Sequence, residues 1–243
     1  MSCDACKTGF RWNGTPEGTE IDFNGQKTYV TGSSKKAAIL LVHDIYGWTF
    51  TNARIIADQY AEEVGATVYL PDFFGGEVVD PETLSDPVKR AAFNIPEFIG
   101  RHNKTVREPE ITAFAQALKK EFPKVGAIGF CYGGWATFRL GANPELIDAV
   151  SVAHPSLLEN AEIEGLKVPV QILAPETDFA FTPELKEVAN RVIPTLGVPY
   201  EYVYFPGLVH GFSLKGDLND KKQKDGLERA KRSVVNFFKE FLL

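Results

Sequence analysis

Residues 125–134 read VGAIGFCYGG and run directly into WATF at 135–138. A short, uniformly apolar stretch gives way to a cysteine set among glycines, then to residues that suit a helix. The first part has the length and composition of a buried strand. A cysteine that only filled a core would need no glycines around it. A sharp strand-to-helix turn does need them, because side chains at Gly129 and Gly133 would collide there. Such a turn leaves the Cys131 thiol at the N-terminus of the following helix. The helix dipole and free N–H groups favour a thiolate at that position, and any negative charge that develops beside it.

The same alternation extends outward in both directions. Ala37–Val42 (AAILLV) reads as a buried strand, and 67–70, 125–128, 147–153, 168–174 and 200–205 are further strands. Ala53, Ile56, Ala57, Tyr60, Ala61 and Val64 recur at the spacing of one helix face. Helices are also expected near 106–120, 135–140 and 183–193, and over a last segment carrying Leu227, Ala230, Val234, Phe237, Phe238 and Phe241 on its inner side. Strands that alternate with helices and are apolar throughout imply an α/β fold, with a mainly parallel sheet covered by helices on both faces. The reading is of one domain over residues 1–243. Residues 1–26, rich in Gly, Thr and Asn, are expected to wrap the surface. Residues 73–104, broken by Gly75-Gly76, Pro81, Pro87 and Pro96, form a long excursion with short helices, a candidate lid or pocket wall.

The 243 residues carry a net charge of −6, so a phosphate-binding surface would have to be local. The Lys-rich run, Lys221-Lys222-Gln223-Lys224, is broken by Gln and followed by Asp225, a solvated helix start rather than a nucleic-acid contact. The longest apolar stretch, 37–42, falls far short of the ~20 residues a membrane span needs. The N-terminal MSCDACKTGFRWNG lacks the apolar core of a secretory signal. Three cysteines make no disulfide framework, so a reducing cytoplasm is expected. Cys3 and Cys6 form a C-x-x-C with no second pair and no nearby His, which argues against a zinc site. No metal or organic cofactor is expected. A chain of this length buries an adequate core as a monomer, and a homodimer is equally open.

Parallel sheets place their functional groups beyond the carboxyl ends of the strands. Four reactive residues lie just past a strand here: Asp44, Cys131, Asp178 and His210. Cys131, Asp178 and His210 put a nucleophile, an acid and a histidine on three different strands, in the chain order of the α/β-hydrolase triad. Gly129-Phe130-Cys131-Tyr132-Gly133 then fits the G-x-C-x-G form of a nucleophile elbow. The N–H of Tyr132 would be one oxyanion-hole donor, and the N–H of Ile45, in the loop after 37–42, the second. Glu176 is a rival for the acid. His43 and His102 precede or stray from the expected order. His154 follows the strand at 147–153 and is a candidate for the pocket lining. Arg101 and His102 are candidates for contact with an anionic substrate. A dinucleotide-binding reading fails on spacing, since GFCYGG lacks G-x-G-x-x-G and Asp148 stands at the wrong end of a strand to meet a ribose.

GFCYGG, LLVHDIYG, APETDF and FPGLVHGF, with the lesser matches GTPEGTE and AHPS, resemble the dienelactone hydrolase family of α/β-hydrolases, particularly its fungal branch. The resemblance spans about residues 14 to 213. It implies Cys131 as nucleophile, His210 as general base and then acid, and Asp178 as orienter of the imidazole. It also implies that Asp44 holds the thiol or contacts substrate, at a position where bacterial relatives carry the longer Glu. Those relatives place an Arg four residues after the catalytic His to bind a substrate carboxylate. Leu214 stands there in this chain, with Lys215 the nearest cation, so dienelactone specificity is not implied. The expected chemistry is cleavage of a small-molecule ester or lactone through an acyl-thioester. Thiolate is readily expelled again from a tetrahedral intermediate, which favours substrates with a good leaving group, such as enol esters. The alternative is a non-catalytic relative that serves as a binding or regulatory module.

Overall fold

The computed structural model of the chain describes residues 12–243; Cys3, Cys6 and the rest of residues 1–11 lie outside the described residues. The strands are β1 (Thr19–Phe23), β2 (Gln26–Thr31), β3 (Ala37–Val42), β4 (Thr67–Pro71), β5 (Lys124–Phe130), β6 (Ala149–Ala153), β7 (Val170–Thr177) and β8 (Tyr200–Val209). They form one sheet in the order β1-β2-β4-β3-β5-β6-β7-β8. The pairs β1/β2 and β2/β4 are antiparallel, and every pair from β4 to β8 is parallel. The helices are α1 (Thr51–Tyr60), α2 (Pro81–Ser85), α3 (Pro87–Ala92), α4 (Ile95–Arg101), α5 (Lys104–Glu121), α6 (Gly133–Gly141), α7 (Asn160–Glu164), α8 (Pro183–Val192), α9 (Phe212–Lys215) and α10 (Lys221–Leu242). α1, α9 and α10 pack on one another, and α5, α6, α7 and α8 form a second contiguous group. Every residue of β3 and β6 is buried. That is the pattern of strands covered on both faces, and it explains why their sequences are apolar without alternation.

Residues 19–31 hold a hairpin that composition alone did not suggest. Its β1 strand, TEIDF, is almost wholly exposed, so no apolar pattern marks it. The turn does: Asn24 and Gly25 have φ of 49° and 80°, the two successive positive values that an Asn-Gly hairpin turn supplies. Trp12 is buried, with its backbone N–H on Asn52 Oδ1 (2.9 Å) and its indole N–H on the Gly216 carbonyl (3.0 Å). The excursion over 73–104 contains α2, α3 and α4. Each starts from a capping side chain, Asp80, Asp86 or Asn94, that accepts backbone N–H bonds, and each has a proline in its first turn. These are strong local start signals on helices too short to hold by themselves. Among the described residues no helix is long and apolar enough to cross a membrane.

β7 and β8 run past the expected ends at 174 and 205, through Pro175 and Pro206. β7 absorbs Pro175 in a register shift between Pro175 and Thr177. β8 is the sheet edge, where Pro206, which has no N–H, is tolerated. The extra length brings Thr177 and Val209 level with each other, so the residues that follow them, Asp178 and His210, leave the sheet side by side.

Candidate active site

Parallel register aligns the carboxyl ends: Val42 pairs with Gly129, Phe130 with Ala153, and Ala153 with Leu173. Asp44, Cys131, His154, Asp178 and His210 all follow within two residues of a strand end. The turn at Cys131 is strained. Its φ is 46°, a left-handed conformation that costs a non-glycine residue on the order of 1–3 kcal/mol. Surrounding bonds hold it there. The Cys131 N–H donates to Ala153 O (3.2 Å), and its carbonyl accepts from the N–H groups of Gly134 (2.9 Å) and Ser156 (2.8 Å). The glycines are sterically required: a Cβ on Gly129 would strike the Gly133 carbonyl and Thr137 Oγ1, and one on Gly133 would strike the Val42 carbonyl.

The half-buried Cys131 thiol has two side-chain partners. Its Sγ lies 3.3 Å from Ser156 Oγ, and its charge couples to that of the His210 imidazole. On the imidazole's other side, Nδ1–H donates to Asp178 Oδ1 at 2.8 Å. Asp178 Oδ1 also accepts the N–H groups of Ala180 (2.8 Å) and Phe181 (3.0 Å). Burial by itself pushes the thiol up and the imidazole down. Burial is the largest single effect on each, and it is overcome only by the thiolate–imidazolium attraction together with the polar partners Ser156 and Asp178. The Cys131 thiol therefore ends below its ordinary value, and His210, helped further by Asp178, rises to about 9.

Asp44 is buried, and its Oδ1 accepts the Tyr46 N–H at 2.9 Å. Burial raises its pKa to about 6, against the pull of Lys215, the Tyr46 N–H and His210. Its charge pushes the Cys131 thiol up. The Lys215 ammonium lies 5.1 Å from the centre of the Tyr46 ring. Leu214 is fully buried. The N–H groups of Ile45 and Tyr132 have no hydrogen-bond partner among the described residues. Tyr132 stands at the N-cap of α6.

The remaining candidates separate from this cluster or flank it. Glu176 Oε2 accepts the Gly207 N–H (2.5 Å), away from the imidazole. His43 is buried, holding Asp44 O through Nδ1 (2.9 Å) and accepting the Phe73 N–H on Nε2 (3.2 Å). Burial lowers its pKa to about 4, so it is a neutral structural group. His102 and Arg101 meet Glu77, and His102 also meets Arg107. Their link to the site is the Tyr132 hydroxyl, which donates to His102 O (2.5 Å). His154 sits edge-on against the His210 ring, with centroids 4.9 Å apart. The Phe179 ring, on a residue 64% exposed, is tilted against that of His210 with centroids 4.6 Å apart. A cavity of about 120 Å³ lined by His210, Gly211, Phe212, Lys215 and Lys222 adjoins the imidazole. A larger hollow of about 950 Å³, over Gly32, Ser33, Asp58 and Gln59, shares no residue with this cluster. Sequence reasoning missed Ser156, although its loop follows β6 just as the loops carrying the other site residues follow theirs.

The sequence model of the dienelactone hydrolase family matches residues 26–242. This chain belongs to the dienelactone hydrolase family. It is an ester or lactone hydrolase of that family, with the α/β-hydrolase fold. Hydrolase tropI of Talaromyces stipitatus is 31% identical, the match covering 100% of this chain and 96% of that protein. A carboxymethylenebutenolidase homolog from Homo sapiens is 28% identical, over 98% of this chain and 96% of its own length. A solved structure, a dienelactone hydrolase-like promiscuous phosphotriesterase P91 from metagenomic libraries, superposes with a TM-score of 0.69 at 19% identity, covering 93% of this chain and 98% of that one. At that identity the superposition speaks for the fold alone.

Proposed function

We propose that this hydrolase cleaves a small ester or lactone with Cys131 as nucleophile, His210 as general base and then acid, and Asp178 as the orienter of the imidazole. The thiolate attacks the carbonyl carbon, and the oxyanion is held by the N–H groups of Ile45 and Tyr132. The tetrahedral intermediate collapses as His210 gives its proton to the leaving oxygen. Water, deprotonated by His210, then attacks the Cys131 thioester; the acid leaves and the thiol is restored. Asp44 contributes a buried charge beside this pair. The observation carrying the reading is the His210 imidazole held by Asp178 Oδ1 at 2.8 Å and coupled in charge to the Cys131 thiol.

The good-leaving-group preference follows from the sulfur. A thiolate leaves a tetrahedral intermediate more easily than an alkoxide, so an activated enol or aryl oxygen partitions forward. A turnover screen over aryl esters, enol lactones and alkyl esters tests this, with Cys131→Ala as control. Activated substrates should turn over in the parent and not in the variant. Equal rates on alkyl and aryl esters, or activity surviving in Cys131→Ala, would refute it.

A further inference from the structure

We infer that Ser156 is a catalytic residue that holds the Cys131 sulfur as a thiolate, the task the resemblance gives to Asp44; this rests on Cys131 being the nucleophile. Three contacts carry it. Ser156 Oγ lies 3.3 Å from Cys131 Sγ. The Ser156 N–H donates to the Cys131 carbonyl at 2.8 Å, so the same residue fixes the nucleophile's backbone and touches its reacting atom. The Asp44 carboxylate, by contrast, is turned to the Tyr46 N–H. An Asp, one methylene shorter than Glu, satisfies its own loop there.

The loop that presents Ser156 is itself built to stay in place. His154 adopts a φ of 40° and donates its N–H to Leu173 O (3.0 Å). Its Nε2 lies 2.7 Å from Ser213 Oγ. Pro155 packs so closely on the first turn of α6 that a Cβ on Gly134 would strike it. The loop after β6 therefore bears on both partners of the reaction: Ser156 on the thiol and His154 on the His210 ring. Chemically, a hydroxyl suits the sulfur better than a carboxylate does. It donates to a thiolate without adding a second negative charge. Asp44's charge works against the thiolate, whereas the Ser156 bond works for it.

The test follows Cys131 alkylation by iodoacetamide against pH, read on the Cys131 peptide by mass spectrometry, in the parent, Ser156→Ala and Ser156→Thr. Removing a hydrogen bond to a charged atom should raise the midpoint by about one pH unit, or about tenfold less reaction below it. Ser156→Thr, which keeps the hydroxyl, should stay within about twofold of the parent. A parent-like profile in Ser156→Ala would overturn the inference. So would an equal shift in both variants, which would trace the effect to side-chain shape. Failure of Cys131→Ala to abolish ester turnover would instead overturn the assignment of the nucleophile, whatever the alkylation profiles show.

Discussion

Replacing Asp178 by Asn changes the charge beside His210 while keeping the side chain's shape. The Oδ1 of Asp178 takes three donors: His210 Nδ1–H at 2.8 Å and the N–H groups of Ala180 and Phe181 at 2.8 and 3.0 Å. The asparagine oxygen can keep the two backbone bonds, so the turn should hold. What disappears is a hydrogen bond between an imidazolium and a carboxylate, worth about 1.5–3 kcal/mol. At 1.36 kcal/mol per pKa unit that is about one to two units. The His210 value of about 9 owes its rise first to Cys131 and then to Asp178. The variant's imidazole should therefore titrate roughly one to two units lower. The sign follows from the role of the proton. His210 must carry it to the leaving group, so activity falls as pH rises through the His210 pKa, near 9 in the parent. In Asp178→Asn that alkaline limb moves to lower pH. kcat/KM at neutral pH should drop about 10- to 100-fold from the lost bond, and toward ~10⁴-fold if the amide also turns the imidazole to its other tautomer. The assay is aryl-ester hydrolysis between pH 5 and about 10, a window chosen to span the ordinary imidazole and thiol values. A variant within threefold of the parent, with its alkaline limb unmoved, would refute the assignment of Asp178.

Two further substitutions probe the surroundings. Asp44→Asn removes a buried charge that pushes the thiol up, so the acid limb of Cys131 alkylation should move to lower pH; a limb that moves upward would mean that Asp44 supports the thiolate. Gly133→Ala drives a Cβ into the Val42 carbonyl, a backbone atom that cannot swing aside. Urea unfolding should show a loss of about 2 kcal/mol or more, and an unchanged midpoint would show that the elbow is looser than described.

The parallel half of the sheet was legible because burial on both faces leaves nothing but apolar residues, as in Ala37–Val42. The cluster at its rim was legible because parallel register sends every strand end to the same edge. Asp178 and His210 could thus be paired from positions 32 residues apart. The edges were harder. β1 buries almost nothing, so only the Asn24-Gly25 turn announces it. Pro175 and Pro206 look like strand ends, but one is absorbed by a register shift and the other by the freedom of an edge. Asp178 stood out by its place past a strand end, with Glu176 a rival two residues before it; two backbone N–H groups fix the Asp178 oxygen that meets the imidazole, while Glu176 is drawn to Gly207. Ser156 stayed hidden because its part depends on a φ of 40° at His154, which no residue pattern encodes for a non-glycine.

The most direct test of the account is to stop aryl-ester turnover in acid after milliseconds and weigh the intact protein and its Cys131 peptide. With Cys131 as nucleophile, an added acyl group on Cys131 should form faster than steady-state turnover and disappear when substrate is exhausted. Full turnover with no acyl mass at Cys131, or with the acyl group on another residue, would contradict that assignment.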